Sequence, residues 1–334
     1  MMEFLHSIAS PEEAVAADIV LTRDLAVNPL SVVLVCIRPL NDNAVLATNQ
    51  SYKGLIAALN RVSILDRGES IFSMRGEDAA ALNYFRHGIM PFQGQHDDTD
   101  NERRCAVLPI ILGRHAYDPR SCYPARMRGE LTIEMDLDVA DTGYDNLRVS
   151  VETIEIPGAK PSEFERKVAI QQTLAATGDN LIDLNPGRPH RGVLLFGTTP
   201  FAGAAPAPTW GRIKVLMDNR EKFFTATDFE TAQMLHSLMG RQPPMYDGHM
   251  HRFTDAATGA GTPTTSGPFN VGAGIAGATD INAWHQYAFL DFDPTGDDTF
   301  GLDATNAKRL AIQANAETAD AIRAIPIEVV KANS

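Results

Sequence analysis

The amino-acid sequence predicts an all-β protein made of two tandem β-sandwiches with the same topology. Residues 131–139 alternate strictly between apolar and polar side chains, the period of a strand with one face in a core and the other in water. The sequence shows no regular alternation of strands with long helices, so a doubly wound parallel sheet is disfavoured. Several segments also recur, in the same order, in the second half of the chain.

Short strands separated by Gly, Pro, Asn or Asp fill the first half of the sequence. Residues 131–139 and 147–156 are predicted to pair as an antiparallel hairpin across a turn-rich connection. Because the apolar positions shift by one after Val151, we expect a β-bulge near Glu152 or Thr153. Further strands are predicted at residues 17–22, 31–37, 61–65, 71–74 and 106–112.

The internal repeat begins with two segments of the same pattern. Arg61-Val-Ser-Ile-Leu65 corresponds to Arg212-Ile-Lys-Val-Leu216 at a shift of 151 residues, and Phe72 corresponds to Phe223 at the same shift. A short helix is predicted after each segment, and the second helix opens with the capping box Thr227-Asp-Phe-Glu230. Three further pairs support the repeat: Asn28-Pro29 with Asn185-Pro186, Asp118-Pro119 with Asp293-Pro294, and residues 153–156 with 326–329.

The repeat divides the chain into an N-terminal arm at 1–12, a first sandwich at 13–157 and a second at 158–334. Pro and Gly between Pro157 and Pro161 stop the last strand of the first copy. Gly88 and Asp118 are 30 positions apart, whereas the corresponding Gly240 and Asp293 are 53 apart. The second copy therefore carries an inserted loop at about 241–283.

Composition and charge exclude several classes of protein. A chain of 334 residues that is 44% apolar and 21% charged has a globular composition. The formal net charge of −13 argues against direct nucleic-acid binding, which needs clustered Lys and Arg. No apolar run is long enough to span a membrane, and residues 1–10 lack the pattern of a secretory signal, so a soluble, unprocessed protein is expected.

Three cysteines, whose spacing fits neither a disulfide framework nor a metal knuckle, are predicted to be reduced, buried thiols: Cys36, Cys105 and Cys122.

Residues 271–277, Val-Gly-Ala-Gly-Ile-Ala-Gly, contain the G-x-G-x-x-G spacing of dinucleotide-binding loops. In such a fold the motif follows a buried strand and opens a helix. Residues 261–270 contain two prolines and no apolar run, and residues 278–283 lack a helical period. We interpret the motif as part of a glycine-rich loop.

Two incomplete metal motifs supply the only candidate ligands. His249 and His251 form a His-x-His pair of the kind that begins a cupin metal site, but the surrounding cupin motif and a third His are missing. Asp291 and Asp293 begin like a calcium loop, yet Leu302 stands where a bidentate Glu should close it. Calcium is therefore the one cofactor candidate, and the default expectation is that no cofactor is bound.

No catalytic or cofactor-binding residue is predicted, because no Gly-x-Ser-x-Gly elbow occurs and the carboxylates cannot be paired into a dyad. Two functions remain open beside a structural one. The His-x-His pair keeps a bicupin-like metal-dependent enzyme as one alternative. A carbohydrate-binding β-sandwich protein is the other, and it would need exposed aromatic side chains, for which the sequence offers only Trp210 and Trp284 as tryptophans.

Structural patterns over nearly the whole chain resemble the double jelly-roll major capsid proteins, the family of adenovirus hexon and of coat proteins of tailless icosahedral phages with an internal membrane. This resemblance implies two eight-stranded jelly rolls, each with a short helix, and a pseudo-hexameric homotrimer that tiles an icosahedral shell. The resembling segments are 61–68 with the helix after it, 108–114, 122–125, 129–135 and 325–330.

The resemblance also implies partners and a location. Neighbouring capsomers, vertex (penton) and minor capsid proteins, and an internal viral membrane at the shell base are expected partners, with assembly in the host cytoplasm and residence in the virion. Phe4, Leu5 and Ile8 are expected to form an apolar stripe that contacts the membrane or a neighbouring subunit. A frayed terminus is the alternative for these residues.

Overall fold

The chain divides into two compact units between Phe164 and Glu165. A computed structural model describes residues 2–41, 52–89, 92–93, 103, 105–139, 144–174, 178–198, 209–238, 284, 286–316 and 318–332. The first unit holds the strands β1 (Leu5–Val15), β2 (Ile19–Asp24), β3 (Leu30–Ile37), β4 (Leu40–Asn41), β5 (Leu59–Asp66), β6 (Glu69–Met74), β7 (Phe92–Gln93), β8 (Ala106–Ile111), β9 (Leu131–Leu137), β10 (Tyr144–Asp145) and β11 (Leu147–Glu155), and the helices α1 (Tyr52–Ala57) and α2 (Gly76–His87).

The second unit follows β12 (Glu163–Val168), the strand in which the division falls. Its remaining elements are β13 (Ile170–Thr173), β14 (Gly178–Leu184), β15 (Pro189–Gly197), β16 (Trp210–Met217), β17 (Arg220–Glu221), β18 (Thr227–Asp228), α3 (Phe229–Leu238), β19 (Tyr287–Asp291), β20 (Leu302–Asp303), β21 (Leu310–Ala316) and β22 (Ala321–Lys331).

The first unit contains two antiparallel ladders. One has the order β1-β11-β3-β8-β7 and the other the order β2-β9-β5-β6. The strand β1 pairs with β11 from Leu5 to Val15, so the sheet includes most of the segment predicted to be an N-terminal arm. The short strands β4 and β10 pair with each other.

The predicted hairpin between residues 131–139 and 147–156 is wrong. The strand β9 pairs with β2 and β5, whereas β11 pairs with β1 and β3, so the two strands lie in different ladders. Alternation identifies which face of a strand is buried, but it does not identify the neighbouring strand. Closeness in sequence was therefore a poor guide to pairing here.

The irregularity predicted near Glu152 or Thr153 lies on the neighbouring strand. The strand β1 shifts register against β11 between Ile8 and Ser10, opposite Glu152 and Val151, so the extra residue is on β1. The register of β11 with β3 runs without a shift from Val149 to Ile154 and changes only at Glu155. Thr153 and Glu155 lie on the same buried face of β11 as Val151 and are 0% and 6% exposed. The apparent shift in the apolar pattern therefore marks polar residues on the buried face.

The second unit repeats the strand order of the first. Its ladders β19-β15-β22-β13 and β17-β16-β21-β14 match β8-β3-β11-β1 and β6-β5-β9-β2. Side chains from both ladders form one core, which contains Leu195 and Ile322 from one ladder and Ile213 and Ile312 from the other. The predicted repeat is confirmed, and the second unit is a β-sandwich.

A tight turn recurs at the predicted shift of 151 residues. The connection between β5 and β6 consists of Arg67 and Gly68, with φ of 51° and 85°. The connection between β16 and β17 consists of Asp218 and Asn219, with φ of 51° and 63°. Two consecutive residues at positive φ match the twist of a two-residue hairpin, so both copies close this corner in the same way.

Each unit also carries the predicted short helix. The helix α2 ends at His87, and Gly88 takes the left-handed conformation that closes it, with φ of 63°. The helix α3 begins at Phe229, and its buried face includes Phe229 and Ala232. Thr227 and Asp228, predicted to open a capping box, pair with β16, and the helix begins directly after them. Among the described residues, no helix is long and apolar enough to cross a membrane.

Candidate functional site

A buried Asn–Glu contact joins two strands at one end of the first unit. Asn28, just before β3, donates from Nδ2 to Oε2 of Glu155 at 2.7 Å. The hydroxyl of Ser7 on β1 donates to Oε1 of the same carboxylate at 2.5 Å, and Thr153 donates to it at 3.2 Å. This network ties β1, the start of β3 and the end of β11 together, and it satisfies a carboxylate that is only 6% exposed.

The second unit repeats this contact and adds charge to it. Asn185, just before β15, donates to Oε1 of Glu328 at 3.0 Å. Arg188 donates to Oε2 at 2.8 Å, and Arg166 lies 3.2 Å from both oxygens. Burial alone would raise the pKa of Glu328, but the hydrogen bond from Asn185 and the two arginines lower it overall. The carboxylate, 1% exposed, is thus held in its ionised form.

A buried histidine lies on β15 near this carboxylate. His190 is 0% exposed, and its Nδ1 lies 3.0 Å from the carbonyl oxygen of Arg188. If Nδ1 carries the proton and donates it to that carbonyl, Nε2 is left as a buried nitrogen without a hydrogen-bond partner in the described part of the chain. Burial lowers the pKa of His190 below its usual value, against the raising influence of Glu328.

Acid is expected to destabilise the second unit in a way that depends on His190. Below about pH 6.5 the imidazole of the unfolded chain binds a proton, whereas the buried imidazole, with its lower pKa, stays neutral. The free energy of unfolding therefore decreases as the pH falls toward the pKa of the folded state. Glu328, whose folded pKa is lowered, loses its contribution at still lower pH. Unfolding by urea at several pH values should show a shallower dependence between about pH 6.5 and 5 for His190→Asn, which can keep a donor for the Arg188 carbonyl. Equal slopes for both proteins would contradict this assignment.

A second buried ionic group lies in the second unit. Glu165 contacts Lys167 at 3.0 Å and Arg191 at 2.9 Å, and all three side chains are at most 3% exposed. Arg191 also binds the exposed Asp298 at 3.0 Å. Every charge in this group therefore faces an opposite charge, which is the condition for burying ionised side chains at tolerable cost.

The acidic loop predicted as a calcium candidate uses its carboxylates internally. Asp291, at the end of β19, accepts a hydrogen bond from the amide of Asp293 at 2.9 Å, and Asp293 accepts one from the amide of Asp298 at 2.9 Å. Across the residues described, no group of three or more His, Cys, Asp or Glu side chains is arranged to hold a metal ion. His249, His251 and the glycine-rich motif at 271–277 lie outside the described residues.

The N-terminal apolar residues are exposed but do not share one face. Phe4 is 59%, Leu5 46% and Ile8 70% exposed, and the ring of Phe4 packs edge-on against Tyr117 at 5.2 Å. Leu5 pairs with Glu155 and Ile8 with Glu152. Because these partners are three residues apart on one strand, Leu5 and Ile8 point to opposite faces of the sheet.

Two of the three cysteines are buried as predicted. Cys36 and Cys122 are 3% and 0% exposed, Cys105 is partly exposed, and all three are free thiols. Burial raises the pKa of Cys122 to about 11, with a smaller contribution from Asp118. Cys122 is therefore a protonated, unreactive thiol at neutral pH.

Sequence reasoning noted the positions of the Asn–Glu contacts but missed their role. Asn28 and Asn185 entered the repeat as members of Asn-Pro pairs, and Glu155 and Glu328 as members of similar closing segments. A polar residue recurring inside two apolar strands at equivalent places was the available signal. It would have predicted a buried polar contact common to both copies.

The two sandwiches define a class of fold, the double jelly roll of viral major capsid proteins. The STIV major capsid protein matches this chain with a TM-score of 0.68 at 12% identity, over 98% of this chain and 97% of that one. The major capsid protein P2 from bacteriophage PM2 matches with a TM-score of 0.61 at 10% identity, over 100% of this chain and 98% of that one. A chain of the PBCV-1 virus capsid matches with a TM-score of 0.58 at 10% identity, over 98% and 94% of the two chains.

Sequence comparison adds nothing to this likeness, since no protein-family model and no curated protein matches the chain. The similarity lies in the path of the backbone over nearly the full length of both proteins. At such low identity the comparison establishes the fold, and function has to be argued from that fold and from the chemistry described above.

Proposed function

We propose that this protein is a major capsid protein that forms homotrimers and tiles an icosahedral virion shell. The observation that carries the proposal is the repeated strand order within one chain, together with a match over nearly the full length of two capsid proteins. A duplicated sandwich gives a trimer six similar building blocks. Such a trimer has a pseudo-hexagonal outline, which packs without gaps in a shell.

Function in this proposal comes from association and not from chemistry. A trimer of identical chains forms when one surface of each chain binds a different surface of the next and the rotation closes. Weaker contacts between trimers would then allow misplaced ones to dissociate during assembly. The net charge of −13 would keep free trimers apart until specific contacts form. No catalytic residue and no cofactor are proposed, and a calcium ion at Asp291 and Asp293 remains a prediction.

The same proposal implies specific binding partners. They are neighbouring capsomers, vertex and minor capsid proteins, and an internal membrane at the shell base. Phe4, Leu5 and Ile8 remain candidates for contact with the membrane or a neighbour, because all three are exposed. Since Leu5 and Ile8 point to opposite faces, each would meet a different surface. Assembly would take place in the host cytoplasm, and the protein would reside in the virion.

Size-exclusion chromatography with light scattering tests the proposal. The purified chain of 36.3 kDa should elute as a stable trimer or a larger particle with no stoichiometric metal. A monomer or dimer that retains iron or manganese would instead support the bicupin-like enzyme. Elemental analysis of a His249→Ala, His251→Ala double variant separates these outcomes, because metal loss in that variant would identify the ligands.

A carbohydrate-binding function gains no support from the tryptophans. Trp210 and Trp284 are 1% and 0% exposed, so neither offers a stacking surface for a sugar ring. A polar groove of about 570 Å³ lies along β14, β16 and β21, and no aromatic side chain lines it. Its polar groups also bind one another: Asp179 accepts from Gln313 and Asn315, and Arg212 donates to Asp228.

A further inference from the structure

Among the described residues, the helix α2 covers the outer face of the ladder β1-β11-β3-β8 on the side of β8. The helix α2 lies against β8, where Asn83 donates to the carbonyl oxygen of Pro109 at 2.5 Å. Val32, Ile111 and Ile154 form a small buried cluster on this face, with Ile89 packed against it. Toward β1 the side chains become accessible, and Ile8 is 70% exposed.

Three arginines surround one glutamate at the accessible end of this face. Glu12 on β1 lies 2.9 Å from Arg148 on β11, 3.3 Å from Arg38 just beyond β3, and 3.6 Å from Arg103. The arginine side chains are 40%, 28% and 52% exposed in the same order. The hydrogen bonds to Arg148 and the charges of the three arginines lower the pKa of Glu12, so the cluster keeps one ionised carboxylate among three guanidinium groups.

Strand register places the exposed apolar residue and the arginines on the same face. Ile8 pairs with Glu152, and Glu152, Ser150 and Arg148 alternate along β11. Residues that face each other across a strand pair point to the same side, as do alternate residues along one strand. Arg38 donates to the hydroxyl of Ser150 at 2.8 Å, which confirms that it lies on this side. Glu152, whose Oε2 lies 2.7 Å from Nε2 of His6, lies on this side as well. We call Ile8, Glu12, Arg38, Arg103 and Arg148 the arginine face.

We propose that the arginine face binds a carboxylate-bearing segment of a second copy of this chain. The inference rests on the proposed capsid function, because it names one of the surfaces through which copies associate. Arginine and exposed apolar side chains are the residue types enriched at protein interfaces. The occupant is argued from charge complementarity: each copy carries 42 Asp and Glu against 29 Lys and Arg, so a second copy offers more carboxylates than cationic groups.

The central glutamate favours this occupant over a phosphate-bearing one. Glu12 lies among the three guanidinium groups and would repel a doubly charged phosphate group more strongly than a single carboxylate. Arg38 and Arg148 retain donors for such a carboxylate, because each makes its hydrogen bonds here through Nη1. Arg148, for example, reaches Glu12 through Nη1, one of the three nitrogens of a group that carries five N–H donors.

Two substitutions that change the local charge in opposite directions test the proposal. Arg148→Gln removes a donor and should weaken association about fivefold, whereas Glu12→Gln raises the local positive charge and should strengthen it by a similar factor. Association is measured by sedimentation and light scattering at low salt, where contacts between exposed charges are strongest. Arg67→Gln is the matched control, because Arg67 is 65% exposed and pairs with Glu130 elsewhere in the first unit.

The possible outcomes separate this inference from the proposed function. If the wild-type chain stays monomeric, the capsid proposal fails and this one fails with it. If the wild type associates and both variants associate equally well, only the arginine face is refuted. A purely internal contact predicts that both variants lower Tm and leave association unchanged. Binding of the wild type, but not of Arg148→Gln, to vesicles of anionic lipid without a change in association would also overturn the proposal.

Discussion

Replacing Glu328 with alanine is expected to lower the free energy of unfolding by about 3–5 kcal/mol, the range for breaking a buried ion pair. The substitution removes the carboxylate that Arg166, Arg188 and Asn185 share. Arg166, whose side chain is 18% exposed, would be left partly buried without this counter-charge. Urea unfolding followed by circular dichroism, with the midpoint and slope fitted together, measures the change.

The matched variant is Glu155→Ala at the equivalent place in the first unit. No arginine appears among the described partners of Glu155, which are Asn28, Ser7 and Thr153, so a smaller loss of about 1–3 kcal/mol is expected. The difference between the two variants isolates the contribution of the charges. Equal losses would show that the arginines contribute little and that the Asn–Glu hydrogen bond dominates both contacts.

Gly113→Ala is expected to disrupt the loop that follows β8. A Cβ atom at this position would overlap the carbonyl oxygen of Ser121, which is backbone and cannot rotate away. The two segments are also joined by the amide of Arg114, which donates to the hydroxyl of Ser121 at 2.9 Å. The backbone has to move, so we expect a loss of more than about 3 kcal/mol or failure to fold.

Gly129→Ala is the control for this variant. Gly129 has a φ of 82°, and a Cβ atom there meets nothing within 4 Å. Its cost should be that of a left-handed alanine alone, about 1 kcal/mol. Limited proteolysis and thermal unfolding of both variants compare the effects. A Gly113→Ala protein as stable as Gly129→Ala would show that the two loop segments approach less closely than described.

The sequence predicted the class of fold and the duplication well, because both depend on periodic patterns. Alternation gave the position of β9 almost to the residue, and the shift of 151 located the equivalent strands β5 and β16 and the same tight turn in both copies. Such patterns record which side chains are buried, and burial follows directly from the hydrophobic effect.

Partner choice between strands could not be predicted in the same way. The strands β9 and β11 are close in sequence and both alternate, yet they pair with different neighbours. The apolar pattern along β11 was also misinterpreted, because the polar residues Thr153 and Glu155 occupy buried positions. Their polarity is balanced by Ser7 and Asn28, which lie more than a hundred residues away in the chain, so no local window contains the explanation.

The arginine face was invisible to sequence reasoning for a similar reason. Glu12, Arg38, Arg103 and Arg148 come from four distant segments, and only the order of the strands brings them together. The overall charge of −13 even pointed away from a basic surface. Net charge describes the molecule as a whole, and it does not describe the distribution of charge over one face.

The Asn–Glu contact present in both units bears on how a duplicated chain can change over time. A ring of six single sandwiches encoded by one gene would keep every such contact identical, because a mutation would change all six at once. In one chain the two copies are separate targets for mutation, and only the contact at Glu328 has Arg166 and Arg188 beside it. In the proposed trimer these arginine pairs would occupy every second position around the ring. Duplication therefore replaces six identical positions with two alternating kinds, and mutations in one gene can change each kind separately.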